Sequence, residues 1–185
     1  NHTNYGFIPR AEVDYLIRER KKKHSAKEFT FDIVNSISVQ WKIAQFSPDI
    51  VIHLASFPRQ KSVQMDPSYG ARVMCEGLTN LLEASVKHEV KKFIYISSSM
   101  VYGDFTTDVT ESAVCNPIGQ YGIFKYMGEK LVQDYSSRTD MQHLIIRPSA
   151  VYGPLDVEDR VVSKFMLAAM RGETLKVKGP DEVLD

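Results

Sequence analysis

Cysteine, tryptophan, net charge and long apolar runs are what this 185-residue chain has least of. Its two cysteines, Cys75 and Cys115, offer neither a metal-ligand spacing nor a disulfide framework, which points to a reducing compartment, the cytoplasm. Lys and Arg number 23 and Asp and Glu 23, so no overall field favours nucleic acid or an anionic membrane surface. The one dense basic run, Arg18 to His24, reads as a solvated helix end or loop rather than a nucleic-acid arm. No stretch approaches the roughly 20 apolar residues of a membrane span, and no signal-peptide pattern opens the chain. Neither a nucleic acid nor a membrane is expected as a partner.

What the chain does have is 43% apolar residues, enough for a core, arranged in alternating short runs and helical stripes. Three runs stand out: Ile50 to Ala55, Phe93 to Ile96 and Leu144 to Ile146. Each is rich in β-branched or aromatic residues without polar alternation, as suits strands covered on both faces. Phe29-Thr30-Phe31 is a weaker fourth candidate. Between and after the runs, Leu78, Leu81, Leu82, Ser85 and Val86 form one helical stripe. Tyr121, Phe124, Leu131, Val132 and Tyr135 form a second, and Val161, Val162, Phe165 and Ala169 a third. Strand alternating with helix predicts right-handed crossovers and a doubly wound, Rossmann-like parallel α/β sheet. Ligands of such sheets sit beyond the carboxyl ends of the strands, so the residues just after each run are the ones to read for chemistry.

Those residues are small or hydroxylated: Ser56 after the first main run, Ser97, Ser98 and Ser99 after the second, Ser149 and Ala150 after the third. A helix expected to begin near Tyr121 carries Lys125 one turn later, so a phenol and an ammonium can share the face turned to the strand ends. A second copy, Tyr126 and Lys130, follows at once. Both copies cannot face the cleft, because five helical steps turn a side chain by roughly 140°. Pro117 and Gly119 ahead of the helix, Gly122 inside it and Ser98 upstream favour the first copy.

The run from Ser97 through Val101-Tyr102-Gly103, followed by Tyr121-Gly122 and Lys125, resembles the extended short-chain dehydrogenase/reductase family, in particular its NAD-dependent epimerases and dehydratases of UDP-sugars. The resemblance spans nearly the whole chain, through Asp49 to Ala55, Gly77 to Ala84, and Arg147-Pro148 to Tyr152-Gly153-Pro154. It implies Ser98, Tyr121 and Lys125 as the catalytic set and NAD as cofactor, with NADP as the alternative. By the same resemblance, Asp32 and Ile33 contact the adenine, and Asn1 and Asn4 lie beside the adenosine ribose. Leu54, Ala55, Ser56, Ile96, Ser97, Pro148 and Val151 complete the cofactor site with Tyr121 and Lys125. Ser98, Ser99 and Tyr121 are expected to face a nucleotide-sugar substrate, and a homodimer is expected through the helices after Met65 and around Tyr121. Ser99 and Met100 stand where the 4,6-dehydratases carry Asp-Glu, so dehydration by that route is disfavoured. Met74 and Ala150 stand where the family usually has asparagine.

No Gly-x-x-Gly-x-x-Gly occurs among the ten glycines, although such a turn is what brings a pyrophosphate to a helix N-terminus. The expectation is therefore a sheet lacking its first β-α-β and most of the C-terminal substrate domain, with weak NAD binding by this chain alone. Residues 1–155 would form the partial dinucleotide-binding domain and 156–185 the start of the substrate lobe. Two other readings stand beside the epimerase: an NADP-dependent reductase of the same family, and a non-catalytic dinucleotide-binding or scaffold protein.

Overall fold

The computed structural model describes residues 9–23, 25–57, 60–104, 108–153, 155 and 161–175. Asn1 and Asn4, expected beside the ribose, lie outside them. The chain folds as two compact units, one holding Thr30–Ser149 and the other holding His2–Phe29 and Ala150–Asp185.

The first unit is built on three parallel strands in the order β1 (Ile50–His53), β2 (Lys92–Ile96) and β3 (Gln142–Ile146). Register aligns Ile52 with Ile94 and Leu144, and His53 with Tyr95 and Ile145. All three main apolar runs thus become strands of one parallel sheet. The fourth candidate, Phe29-Thr30-Phe31, does not: it has no strand assignment and no ladder. Its apolar residues had suggested a strand, but a strand needs a neighbour for its backbone groups. The chain turns immediately afterward, where Asp32 Oδ1 accepts the Val34 N–H at 3.0 Å.

Three helices cover one face of this sheet: α2 (Ser36–Phe46), α5 (Gly77–Lys87) and α6 (Gly119–Ser137). Two shorter helices, α3 (Gln60–Met65) and α4 (Pro67–Ala71), precede a π-helical turn at Arg72–Glu76 that runs into α5. Asn35 caps α2 by accepting the Ser38 N–H at 2.9 Å. The predicted stripe of α5 is buried at Leu78, Leu81, Leu82 and Ser85, and packs with Phe93 and Tyr95 of β2. Burial of each such leucine contributes about 1.5–3 kcal/mol relative to exposure. The opposite sheet face carries Ile50, Ile52, Leu144 and Ile146, each between 41 and 56% exposed.

The buried face of α6 is Gly122, Lys125, Gly128, Glu129, Val132 and Tyr135. Lysine and glutamate on a core-facing stripe are uncommon unless paired, and here they mark the site.

The second unit contains α1 (Arg10–Lys21) and α7 (Val161–Arg171). The first part of the basic run is the solvated end of α1, with Arg18, Arg20 and Lys21 in its last turn, where cations suit the helix dipole; His24 lies outside the described residues. Arg20 Nη2 donates to Leu155 O at 2.8 Å. The predicted third stripe is α7, none of whose residues is buried.

Candidate active site

Strand β2 ends at Ile96, and a 3-10 turn at Ser99–Val101 follows it. Ser98 between them is extended and 9% exposed, and its Oγ accepts the Met100 N–H at 3.3 Å. Ser99 N–H donates to Pro148 O at 2.9 Å, which ties this loop to the segment leaving β3. Helix α6 begins against the same loop. A Cβ at Gly122 would fall 2.7 Å from Met100 O, so only glycine lets the first turn of α6 lie this close. What Gly122 admits is the Met100 carbonyl.

That contact sets which Tyr-x-x-x-Lys copy turns inward. Lys125 is 4% exposed and its Nζ donates to Ile96 O, the carbonyl at the end of β2, at 2.7 Å. The same Nζ lies 5.8 Å from the centroid of the Tyr121 ring, within range of a cation–π attraction. Burial lowers the Lys125 pKa to about 8, still mostly charged at neutral pH. Tyr121 is half-buried. The structure therefore brings Tyr121 and Lys125 together at the carboxyl end of β2, beside the loop that carries Ser98.

Beneath this group lies a charged clamp that sequence reasoning missed. Glu129, 1% exposed, accepts from Ser97 Oγ at 2.5 Å and from Arg147 Nε at 2.9 Å through Oε1, and from Arg147 Nη2 at 2.7 Å through Oε2. Arg147 Nη1 donates to Tyr102 Oη at 2.8 Å and to Glu111 O at 3.2 Å. One ion pair thus joins the end of β2, the middle of α6, the start of the segment after β3 and the Ser98 loop. Its geometry holds the Arg147 pKa well above the usual value, with the Glu129 hydrogen bonds as the main cause. The signal was available: Glu129 follows Lys125 by four residues and so shares its face.

The other expected residues fall as follows. The Ser97 hydroxyl is committed inward to Glu129, and its N–H donates to Ile146 O at 2.7 Å. Ile33 packs against the core, with its carbonyl and that of Val34 held by Asn80 Nδ2 at 3.0 and 3.1 Å. Asp32 is exposed. Leu54 and Ala55 are exposed just past β1, while the Ser56 Oγ is buried and has no hydrogen-bond partner among the described residues. Pro148 is half-buried, and Val151 is exposed within the second unit.

A family model described as the NAD dependent epimerase/dehydratase family matches residues 6–183. The chain belongs to that family. Among curated relatives, an uncharacterized UDP-glucose epimerase of Bacillus subtilis is 27% identical over 94% of this chain and 55% of its own length. A UDP-glucose 4-epimerase of Mycolicibacterium smegmatis is 33% identical over 84% of this chain and 53% of its own length. Among solved structures, a UDP-glucuronic acid 4-epimerase of Bacillus cereus, in complex with UDP-glucuronic acid and NAD, matches with a TM-score of 0.78 at 26% identity, covering 94% of this chain and 55% of that one. The chain thus spans about half the length of these relatives. Membership of the family and a Rossmann-like parallel sheet agree with the sequence reading.

Proposed function

We propose that the protein carrying this chain is an NAD-dependent epimerase of a nucleotide sugar, with Ser98, Tyr121 and Lys125 as its reacting set. The observation that carries the reading is the desolvated Lys125 ammonium, held by the end of β2 with the Tyr121 ring beside it. A free phenol has a pKa near 10, too high for a base at neutral pH. An ammonium next to it favours the phenolate, so Tyr121 can take the proton of a sugar hydroxyl. Ser98 donates or relays a hydrogen bond to the same oxygen as charge develops there.

The residues present fit a dinucleotide in character. The Ser56 Oγ, three residues past β1, is a buried oxygen with no partner among the described residues, and Lys125 has three N–H donors, of which Ile96 O takes one. Asp32, Ile33, Leu54, Ala55, Ser56, Ile96, Ser97, Pro148, Tyr121 and Lys125 would hold it. NAD held there would supply the hydride acceptor and donor for inversion at the sugar carbon, while Tyr121 moves the hydroxyl proton. Epimerisation is favoured over water loss because Ser99 and Met100 offer no carboxyl group, and Met100 is engaged through its backbone with Ser98 and Gly122.

The same proposal includes a division into a partial dinucleotide-binding part, 1–155, and the start of a substrate lobe, 156–185. The compact unit Thr30–Ser149 lies wholly within the first part. It also includes a homodimer through α6 and the helices after Met65, supported by the exposed Ile123, Met127 and Met65. A cytoplasmic location is supported by Cys75 and Cys115 being free thiols.

The test is turnover of UDP-glucose, UDP-N-acetylglucosamine and UDP-glucuronic acid with NAD, followed by chromatography of the sugar nucleotide. Interconversion of C4 epimers without net change at 340 nm is expected. Stoichiometric absorbance change would assign a reductase instead, and bound NAD with no conversion of any substrate would leave only a binding protein.

A further inference from the structure

A second aromatic ring stands under Lys125. Tyr95 of β2 is 1% exposed, and the Lys125 Nζ lies 5.3 Å from the centroid of its ring. The Tyr95 hydroxyl donates to the Lys125 backbone carbonyl at 3.4 Å, and His53 of β1 stacks on the ring at 5.8 Å and 16°. The ring fits there because residue 128 is glycine. A Cβ at Gly128 would fall 2.2 Å from the Tyr95 Oη and 2.6 Å from its Cζ, so any side chain at 128 drives the ring out from below the helix. An aromatic face attracts an ammonium and also keeps water from it.

We propose that Tyr95, admitted beneath α6 by Gly128, is a positioning residue whose ring is the floor that holds the Lys125 ammonium against the Ile96 carbonyl and beside Tyr121. The proposal rests on the epimerase reading for its purpose, but the placement of Lys125 is measurable without turnover.

The groups around Lys125 make burial, not a neighbouring charge, the main influence on it. On α6 itself these are Tyr121 and Glu129, and the Glu129 carboxylate is engaged by Arg147. From β1 comes His53, whose pKa burial lowers to about 3, so it is neutral. Near Tyr95, from the π-helical turn, comes Cys75, whose thiol burial pushes up to about 11. Tyr95 itself is held above the ordinary phenol range by burial, then by Tyr121, Glu129 and Cys75. His53, Cys75, Tyr95 and the Arg147-paired Glu129 put no unpaired charge against the ammonium at neutral pH; Tyr121 is the one partner whose ionisation the reaction reading invokes. Exclusion of water by the ring is what remains, and removing the ring admits water to a polar pocket.

The experiment is an NMR titration of protein labelled at lysine 13Cε, with the Lys125 signal assigned by its loss in Lys125→Met. Wild-type Lys125 is expected to titrate near 8. Tyr95→Phe keeps the ring, and the midpoint stays within about 0.3 pH unit. Tyr95→Ala raises it by about one pH unit or more as water enters. Gly128→Ala, which displaces the ring without removing it, raises it in the same direction and decides the matter where Tyr95→Ala does not fold. An unmoved midpoint in a folded Tyr95→Ala or Gly128→Ala overturns the proposal. So does a shift in Tyr95→Phe beyond that 0.3 pH unit, because the ring would then not be what matters. In turnover, Tyr95→Phe keeps kcat within about twofold, whereas Tyr95→Ala loses about tenfold in kcat with little change in KM. If the titrations behave as stated but wild type converts no sugar nucleotide, the reaction assignment fails and the positioning of Lys125 stands.

Discussion

Helix α6 carries the same chemical pair twice, Tyr121 with Lys125 and Tyr126 with Lys130, and the fold treats the two copies in opposite ways. Lys125 is buried and its Nζ donates to Ile96 O, a strand carbonyl. Lys130 is exposed, its Nζ 5.0 Å from the centroid of the Tyr126 ring and donating to Gln133 Oε1 at 3.3 Å. Spacing, residue types and helix are shared, so the pair itself does not separate the copies; in the sequence only the flanking Pro117, Gly119, Gly122 and Ser98 do. In the fold the environment does. On the inner face an ammonium loses water and has its pKa lowered to about 8; on the outer face a lysine makes a local hydrogen bond along its own helix. The acidic residues repeat the contrast: Glu129 is buried against Arg147, while Asp134 meets Arg138 in solvent.

The comparison is broken most sharply at the tyrosines. Tyr121→Phe should lower kcat by about 10³-fold while leaving bound NAD in place, and Tyr126→Phe should change it by less than about twofold. Equal effects in a coupled epimerase assay would mean that the inward copy is not the reacting one. Next is the clamp. Arg147→Met leaves the Glu129 carboxylate buried with Ser97 as its remaining partner, and should cost about 3 kcal/mol in urea unfolding. Replacing Asp134 on the outer face should leave the urea midpoint nearly unchanged.

Lys125→Met should have the opposite sign, stabilising the fold by about 1–3 kcal/mol at pH 7. The pKa of Lys125 is lower folded than unfolded. Below about 8 both states carry the charge, and the native state bears the full cost of burying it. Between about 8 and the ordinary lysine value of 10.5 the unfolded chain binds more protons, so wild-type stability rises with pH and the advantage of methionine fades. Urea midpoints of the two proteins between pH 7 and pH 10 should therefore converge; a constant gap would contradict the burial. The smallest effect belongs to Lys130→Met, below about 0.5 kcal/mol.

Much of this was legible beforehand, for identifiable reasons. The runs at Ile50, Phe93 and Leu144 were legible as parallel strands because they lack polar alternation, but the coverage of both faces that this pattern implied is not seen: among the described residues helices cover one face, and Ile50, Ile52, Leu144 and Ile146 lie exposed on the other. The stripe of Leu78, Leu81, Leu82 and Ser85 is legible because a helix buries residues at fixed angular intervals. Phe29-Thr30-Phe31 misled because composition marks a strand former but not whether a neighbouring ladder is there to receive it. Glu129 and Arg147 were missed because a charge reads as surface until its partner, 18 residues away, is in view.

The order of strands and helices, the small and hydroxylated residues after each strand, and the inward potential of one Tyr-x-x-x-Lys copy were set by the sequence, since each follows from local periodicity. The context around Tyr121 pointed to the inward copy, but how far its lysine is desolvated, that Lys125 rests on Tyr95 and Ile96 O, and that Glu129 clamps Arg147 were decided only by tertiary structure. These depend on how closely α6 approaches the end of β2 at Gly122 and Gly128. A one-dimensional pattern fixes the direction of a side chain around its own helix; only packing fixes the distance to its neighbours, and desolvation and charge pairing act through distance.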